Sequence, residues 1–287
     1  GADLYFERHD GEAVTTEEFL CAMEDASDIN LIQFRNWYSV AGTPVIDVSG
    51  KYDPDQKVYT LKMRQSGNLK WEDQEIPAFQ IPIKIGLLDS VGKDIRFSAQ
   101  DSDITDSDDI NGYSVILDFN KKEQEFVFSD VKEKPLPSLL RGFSAPVKLN
   151  YAYTRDELTF LMSNDSDSFN RWEAANRLAT QILLEIAELV ENEAETRIDE
   201  RLFEAVGTNI RMALDDKKDE SYDKAMLANM LTLPTEAYLI DASGVANVDA
   251  ISRARLTLKR ELAFRFEAEF YDIFRQNYFS GPYSPDG

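Results

Sequence analysis

His9 and Cys21 are the only imidazole and the only thiol in the chain, so any metal or nucleophile chemistry built on nitrogen or sulfur starts from them. A catalytic zinc centre typically takes three protein ligands, often two or more of them histidines. One His and one Cys fall short of that without unusual carboxylate ligation. His9 stands in Arg8-His9-Asp10-Gly11, a polar turn after an aromatic-rich helix end, and reads as a satisfied structural histidine. Cys21 stands in Glu18-Phe19-Leu20-Cys21-Ala22-Met23 and reads as a small buried hydrophobe on an apolar helical stripe. The alternative is a catalytic Cys–His pair, for which His9 is the only partner available. A lone cysteine forms no disulfide within the chain, which fits a reducing compartment.

Carboxylates are the abundant chemistry. Residues 100–112 hold Asp101, Asp103, Asp106, Asp108 and Asp109. Ser107-x-Asp109-x-Asn111-Gly112 followed by Asp118 comes close to a calcium loop of the EF-hand kind. It departs at both decisive places, with Ser107 where the first Asp belongs and Asp118 where a bidentate Glu belongs. Its flanks read as strand, so a solvated acidic loop is favoured over a calcium site. Glu185, Glu188, Glu191, Glu193 and Glu195 form a second acidic run, read as a solvated helix face because no apolar wall to raise one pKa is inferable. Trp37 and Trp172 read as core, and Trp71 as loop or sandwich rim, with ligand stacking as its alternative. No G-x-x-x-x-G-K, G-x-G-x-x-G or G-x-S-x-G motif occurs. No catalytic, cofactor-binding or metal-ligating residue is therefore assigned in this chain.

Three blocks of patterning position these residues. Residues 1–41 read as helical, with Thr15-Thr16-Glu17-Glu18 as a capping box and Phe19, Leu20, Met23 and Ala26 at helical spacing. A second short helix carries Leu31, Phe34, Trp37 and Tyr38, and Gly42-Thr43-Pro44 ends it. From Val45 the period is two. A hairpin joins Val45–Val48 to Val58–Met63 through Tyr52-Asp53-Pro54-Asp55, and further strands cover 79–88, 95–98, 113–118, 125–128 and 147–153. About seven short strands suggest an antiparallel sandwich. Pro77, Pro82 and Pro146 belong at strand starts, edges or bulges. From Asp165 the period returns to 3.6. One stripe runs Phe169, Trp172, Ala175, Ala179, Ile182, Ile186, Leu189, and another runs Leu202, Phe203, Val206, Ile210, Leu214. A third helix lies near Ala225–Leu231. A long fourth starts at Asn247 with Ile251, Leu258, Leu262, Phe266, Phe270 and Ile273 in its stripe, and it leaves Phe264, Tyr271 and Tyr278 outside.

The 287 residues carry 31 Lys+Arg against 53 Asp+Glu, a formal charge of −22. So acidic a chain is repelled by phosphate backbones and anionic lipid, which argues against nucleic-acid and membrane partners. A hydrophobic content of 43% excludes a disordered chain. No run of 18 apolar residues and no signal peptide is present, and the chain opens at Gly1 directly in an amphipathic pattern, like an excised piece of something longer.

Four early stretches follow in order: Leu4-Tyr5-Phe6-Glu7-Arg8-His9-Asp10-Gly11, Ala22-Met23-Glu24-Asp25-Ala26-Ser27, Phe34-Arg35-Asn36-Trp37-Tyr38 and Ala41-Gly42-Thr43-Pro44. Later come Phe143-Ser144-Ala145-Pro146-Val147-Lys148-Leu149 and Leu158-Thr159-Phe160-Leu161-Met162. Together these stretches resemble bacterial aminopeptidase N, a zinc metallopeptidase family of the gluzincin type. The match keeps one order along most of the chain and weakens after about Asn192. The family has an N-terminal β domain, a thermolysin-like catalytic domain, a small β-sandwich and a large C-terminal helical domain. Its zinc is held by H-E-x-x-H and a downstream Glu, its substrate amine by G-A-M-E-N, and a Tyr stabilises the oxyanion. None of these motifs is present. Ala22-Met23-Glu24-Asp25 shares letters with A-M-E-N, but the resemblance places it in the terminal catalytic-domain helix, so no functional residue carries over.

The expected architecture is α+β and multidomain: a short helical segment, an antiparallel β-sandwich, then an all-α solenoid- or bundle-like region. The resemblance implies that residues 1–42 are the terminal helices of the catalytic domain, 43–152 the sandwich, and 153–287 the opening helices of the C-terminal domain. The expected function is that of a non-catalytic fragment of a zinc aminopeptidase, a spacer and start of the helical domain covering the active site, inactive alone. It holds no cofactor of its own, with zinc in the parent. Its partners are the remainder of the parent polypeptide and, for the parent, peptide substrates, in the cytoplasm. The alternative is a free-standing protein-interaction module. A weaker third reading is a calcium-binding sandwich.

Overall fold

The computed structural model describes residues 1–71, 75–99, 104–106, 113–214, 224–278 and 281. The chain divides into two compact units, residues 1–90 with 95–152 and residues 91–94 with 153–287.

The first unit opens with α1 (Ala2–His9) and α2 (Thr16–Ser27). The capping box forms as its letters suggest: the Thr15 side chain accepts from the helix backbone, and Glu18 reaches back to the Thr15 N–H at 2.8 Å. Tyr5 packs edge-on against Phe19, joining the two helices. The next helix is shorter than its pattern implies. Residues 32–35 are turn, and only α3 (Asn36–Ser39) is helical. Side chains from this stretch bond loop carbonyls of the sandwich: Asn36 Nδ2 donates to Ala78 at 2.9 Å and Trp37 Nε1 to Gln80 at 2.9 Å.

Two sheets follow. The first orders β4 (Ser98–Ala99), β7 (Glu123–Ser129), β2 (Val58–Ser66), β1 (Val45–Asp53) and β9 (Lys148–Asn150). The second orders β5 (Ile104–Asp106), β6 (Ser114–Phe119), β3 (Ile81–Leu88) and β8 (Leu136–Leu139). Period-two burial builds the core: Tyr59, Leu61 and Met63 of β2, Ile81, Ile83, Ile85 and Leu87 of β3, and Phe126 and Phe128 of β7 are all buried. The β1–β2 hairpin pairs Val45 with Ser66 through Asp53 with Val58. Its turn covers residues 54–57, two residues later than the expected 52–55, and Asp53 Oδ1 caps the N–H groups of Asp55 and Gln56 at 3.0 Å.

The sheet departs from the sequence pattern in three ways. Strand β9 runs parallel to β1, while the other pairings are antiparallel. Strand β8 goes unnoticed in the sequence because Pro135 precedes it and Pro137 lies within it; it lies at a sheet edge, where a missing N–H is tolerated. Pro82 sits in an inner strand, yet β8 pairs only with residues 85–88 of β3, so at Pro82 that side of the strand has no β8 neighbour.

The second unit is helical: α4 (Arg155–Asn164), α5 (Ser168–Glu191), α6 (Glu200–Leu214), α7 (Lys224–Met230), α8 (Glu236–Ala242), α9 (Val248–Arg265) and α10 (Glu267–Asn277). Helix α4 lies ahead of the helical periodicity that starts at Asp165, yet it has its own signal: Thr154-x-x-Glu157 is a second capping box, with Glu157 accepting from the Thr154 N–H at 2.8 Å. The short α8 is a further helix beyond those the periodicity gives, and Thr235 caps it. Asp167 caps α5 and Asn247 caps α9, each accepting from the N–H three residues on. The buried face of α5 is Ala174, Ala175, Leu178, Ala179, Ile182, Leu183, Ile186 and Ala187. Phe169 and Trp172 lie at its margin, half-buried against each other. The long fourth helix is two: it breaks at Phe266, whose backbone (φ −116°, ψ 27°) leaves the helical region.

Candidate functional site

Helix α1 ends at His9, which is half-buried beside Tyr5, with Nδ1 3.3 Å from Glu12 Oε2. Cys21 corrects the sequence expectation: it is exposed. Glu17, Cys21 and Glu24 recur at i, i+4 and i+7, so they share a face of α2. That face carries two carboxylates and turns to solvent, where Arg35 spans them, at 2.7 Å from Glu17 and 2.8 Å from Glu24. The thiol lies beneath this clasp, 3.6 Å from Glu17 Oε1 and 3.9 Å from Arg35 Nη2. Each of the two residues is thus engaged with its own carboxylates.

The acidic loop of 100–112 lies outside the described residues apart from the backbone of β5. Asp118, the last ligand a calcium loop would use, is in strand β6 and accepts from Asn120 Nδ2 at 2.7 Å and Gln80 Nε2 at 3.2 Å. Of the glutamate run, Glu185 binds Arg155 at 2.5 Å and Glu195 pairs with Arg197 at 3.3 Å, while Glu188, Glu191 and Glu193 are exposed. Trp37 packs edge-on to the buried Phe79 at 4.9 Å, and Trp71 packs against the sandwich core.

The organised electrostatics lie elsewhere. Asp199, just ahead of α6, accepts from Arg201 at 2.6 Å and Arg155 at 3.1 Å, and Arg201 also reaches Asp156 at 2.8 Å. The Arg201 side chain and backbone N–H, with Arg155 behind them, hold the Asp199 carboxyl well below the usual carboxylate range. Arg35, helped by the Leu31 N–H, likewise lowers Glu24 to about 2. Both folded-state values are depressed, so both contributions are complete above the unfolded value of about 4 and disappear as pH falls through the folded ones. The denaturant midpoint is therefore expected to fall steadily below about pH 4. Asp199→Asn should give a shallower profile in that window, and an unchanged profile would show the cluster carries no linkage.

The helical unit also contains a cavity of about 390 Å³. Ala175 and Ala179 of α5, Leu202 and Val206 of α6, and Arg255 and Lys259 of α9 are among its lining. The apolar stripe of α9 does not reveal this cation pair; its i, i+4 spacing in a net-acidic chain is the signal in the sequence that does.

The donor set does not fit a zinc centre. The imidazole and the thiol are engaged as described, and among the described residues no group of three or more His, Cys, Asp or Glu could hold a metal ion. No helix among the described residues is long and apolar enough to cross a membrane.

The fold defines a class first. Residues 42–152 match a family model described as a domain of unknown function, DUF3458, with an Ig-like fold, and residues 155–287 match its companion DUF3458_C, described as ARM repeats. The chain is thus an Ig-like domain followed by ARM-like helical repeats. Over nearly its whole length it resembles bacterial aminopeptidase N. The protein of that name from Escherichia coli strain K12 is 37% identical over 281 residues, 97% of this chain and 30% of that protein. The Haemophilus influenzae aminopeptidase N is 32% identical over 275 residues, 96% of this chain and again 30% of that protein. A crystal structure of Legionella pneumophila aminopeptidase A in complex with aspartic acid superposes with a TM-score of 0.75 at 27% identity, covering 98% of this chain and 29% of that one. The chain therefore spans about 30% of the length of the relatives it matches.

Proposed function

We propose that this chain is a non-catalytic part of a zinc-dependent aminopeptidase of the aminopeptidase N kind. The observation that carries the proposal is the asymmetry of coverage: 97% of this chain aligns with 30% of an aminopeptidase N. In that role residues 1–42 are the closing helices of the catalytic domain, 43–152 are a sandwich spacer, and 153–287 begin the helical domain over the active site. The contacts of Asn36 and Trp37 with loop carbonyls of the sandwich support a mechanical role for the first segment, since they tie its last helix to the spacer. The parent removes N-terminal residues from peptides with zinc-activated water and works in the cytoplasm, and its remaining domains are this chain's partners. A sequence with one histidine cannot supply H-E-x-x-H, so the metal and its chemistry belong to the parent's other segments.

The test is turnover of an alanyl chromogenic substrate by the purified chain in zinc-replete buffer. No rate above a mock purification is expected, and a metal-dependent rate that copurifies with the chain would overturn the proposal. A second reading, a free-standing interaction module, is favoured by the exposed aromatics Phe264, Tyr271, Phe274 and Tyr278 of the last helices. The encoding reading frame separates the two: an aminopeptidase part predicts coding sequence on both sides, a module a natural start and stop.

A further inference from the structure

We propose that the helical unit binds a medium-chain fatty carboxylate, with the tail in the cavity between α5, α6 and α9 and the carboxylate on Arg255 and Lys259. A volume of about 390 Å³ is that of a small-molecule site. It exists because Ala175 and Ala179, one turn apart on α5, present methyl groups where larger side chains would fill the space. Apart from Arg255, Lys259 and Thr232 its lining is apolar, and an alkyl tail gains there by leaving water.

Its charge is the informative feature. The chain carries 53 acidic and 31 basic side chains, yet among the described residues the cavity lining includes two cations and no carboxylate. Arg255 and Lys259 stand one turn apart on the same face of α9. Arg255 is half-buried, and its Nε donates to the Pro234 carbonyl at 2.9 Å, which fixes the guanidinium at the cavity. A planar guanidinium with an ammonium beside it suits a carboxylate, the first through two parallel hydrogen bonds and the second as a point charge. A cationic amphiphile meets like charge at the same place, and a neutral one forfeits the ionic contact. The inference uses only the helical unit and does not depend on the chain's place in a peptidase.

The experiment is calorimetric titration of the full chain with decanoate, decanol and decyltrimethylammonium, each below its micellar concentration. Saturable one-to-one binding of decanoate is expected, at least tenfold tighter than decanol, with no binding of the cation. The double variant R255Q/K259Q should weaken decanoate at least tenfold and leave decanol unchanged. Ala179→Phe should abolish both by filling the cavity, with circular dichroism as its folding control. Should that variant unfold, Lys259→Glu, at an exposed position, decides by the loss of decanoate binding alone. Equal affinity for decanol and decanoate, decanoate binding undiminished in R255Q/K259Q, or no saturable heat would each overturn the proposal.

Discussion

Gly86→Ala is expected to lower the unfolding free energy by about 3 kcal/mol, a large effect for one methyl group. Gly86 lies in β3 opposite Ser114 on one side and Ser138 on the other. The buried Arg141 crosses directly above it and donates to Ser138 Oγ at 2.8 Å and Ser114 Oγ at 2.9 Å. A Cβ at position 86 would stand 2.0 Å from Arg141 Cζ and 2.2 Å from one of its terminal nitrogens. The guanidinium ends a flexible side chain, but its hydrogen bonds and burial leave it no cheap route away. Two costs then combine: overpacking of a close-packed interior, and hydrogen bonds lost by a buried cation. Urea unfolding of Gly86→Ala, Arg141→Ala and the double variant checks the mechanism. If the clash is the cause, the double variant is less destabilised than the sum of the two singles. Additive losses would show that the two residues do not interact.

Leu258→Ala should cost about 3 kcal/mol, while Phe264→Ser, six residues further along α9, should change stability by no more than about 0.5 kcal/mol. Leu258 is fully buried, and its truncation leaves a void that the helices around α9 close only in part. Phe264 is the larger apolar side chain, but it is 83% exposed and has little packing to lose. Its effect should appear in another measurement. Phe264 of α9, Tyr271 and Phe274 of α10 and Tyr278 just past it are all exposed, and such apolar surface favours association. Sedimentation at high protein concentration should show the unsubstituted chain self-associating and Phe264→Ser doing so less. A strict monomer for the unsubstituted chain would count against the surface being sticky. The matched pair separates hydrophobic type from hydrophobic burial, which residue identity alone does not distinguish.

The amino-acid sequence by itself determined the order of the parts. Period two between Val45 and Phe128, flanked by helical periodicity, defined a sandwich between helical segments, because alternation and 3.6-residue recurrence are local consequences of backbone geometry. The capping box at Thr15 and the helix start at Asn247 are legible for the same local reason, and so is the box Thr154-x-x-Glu157. The scarcity of imidazole and thiol was likewise visible in the letters. Tertiary structure alone decided what depends on residues distant in sequence. Cys21 has apolar neighbours in the chain, and its i, i+4, i+7 spacing with Glu17 and Glu24 already puts it on the polar face of α2; what tertiary structure adds is Arg35, fourteen positions away, which bridges those two carboxylates over the thiol. The parallel seat of β9 against β1 joins segments a hundred residues apart. The cluster around Asp199 and the cavity held open by Ala175 and Ala179 arise only where helices meet. Periodicity states that a helix or strand has a buried face, but which residues meet across that face is set by packing between elements.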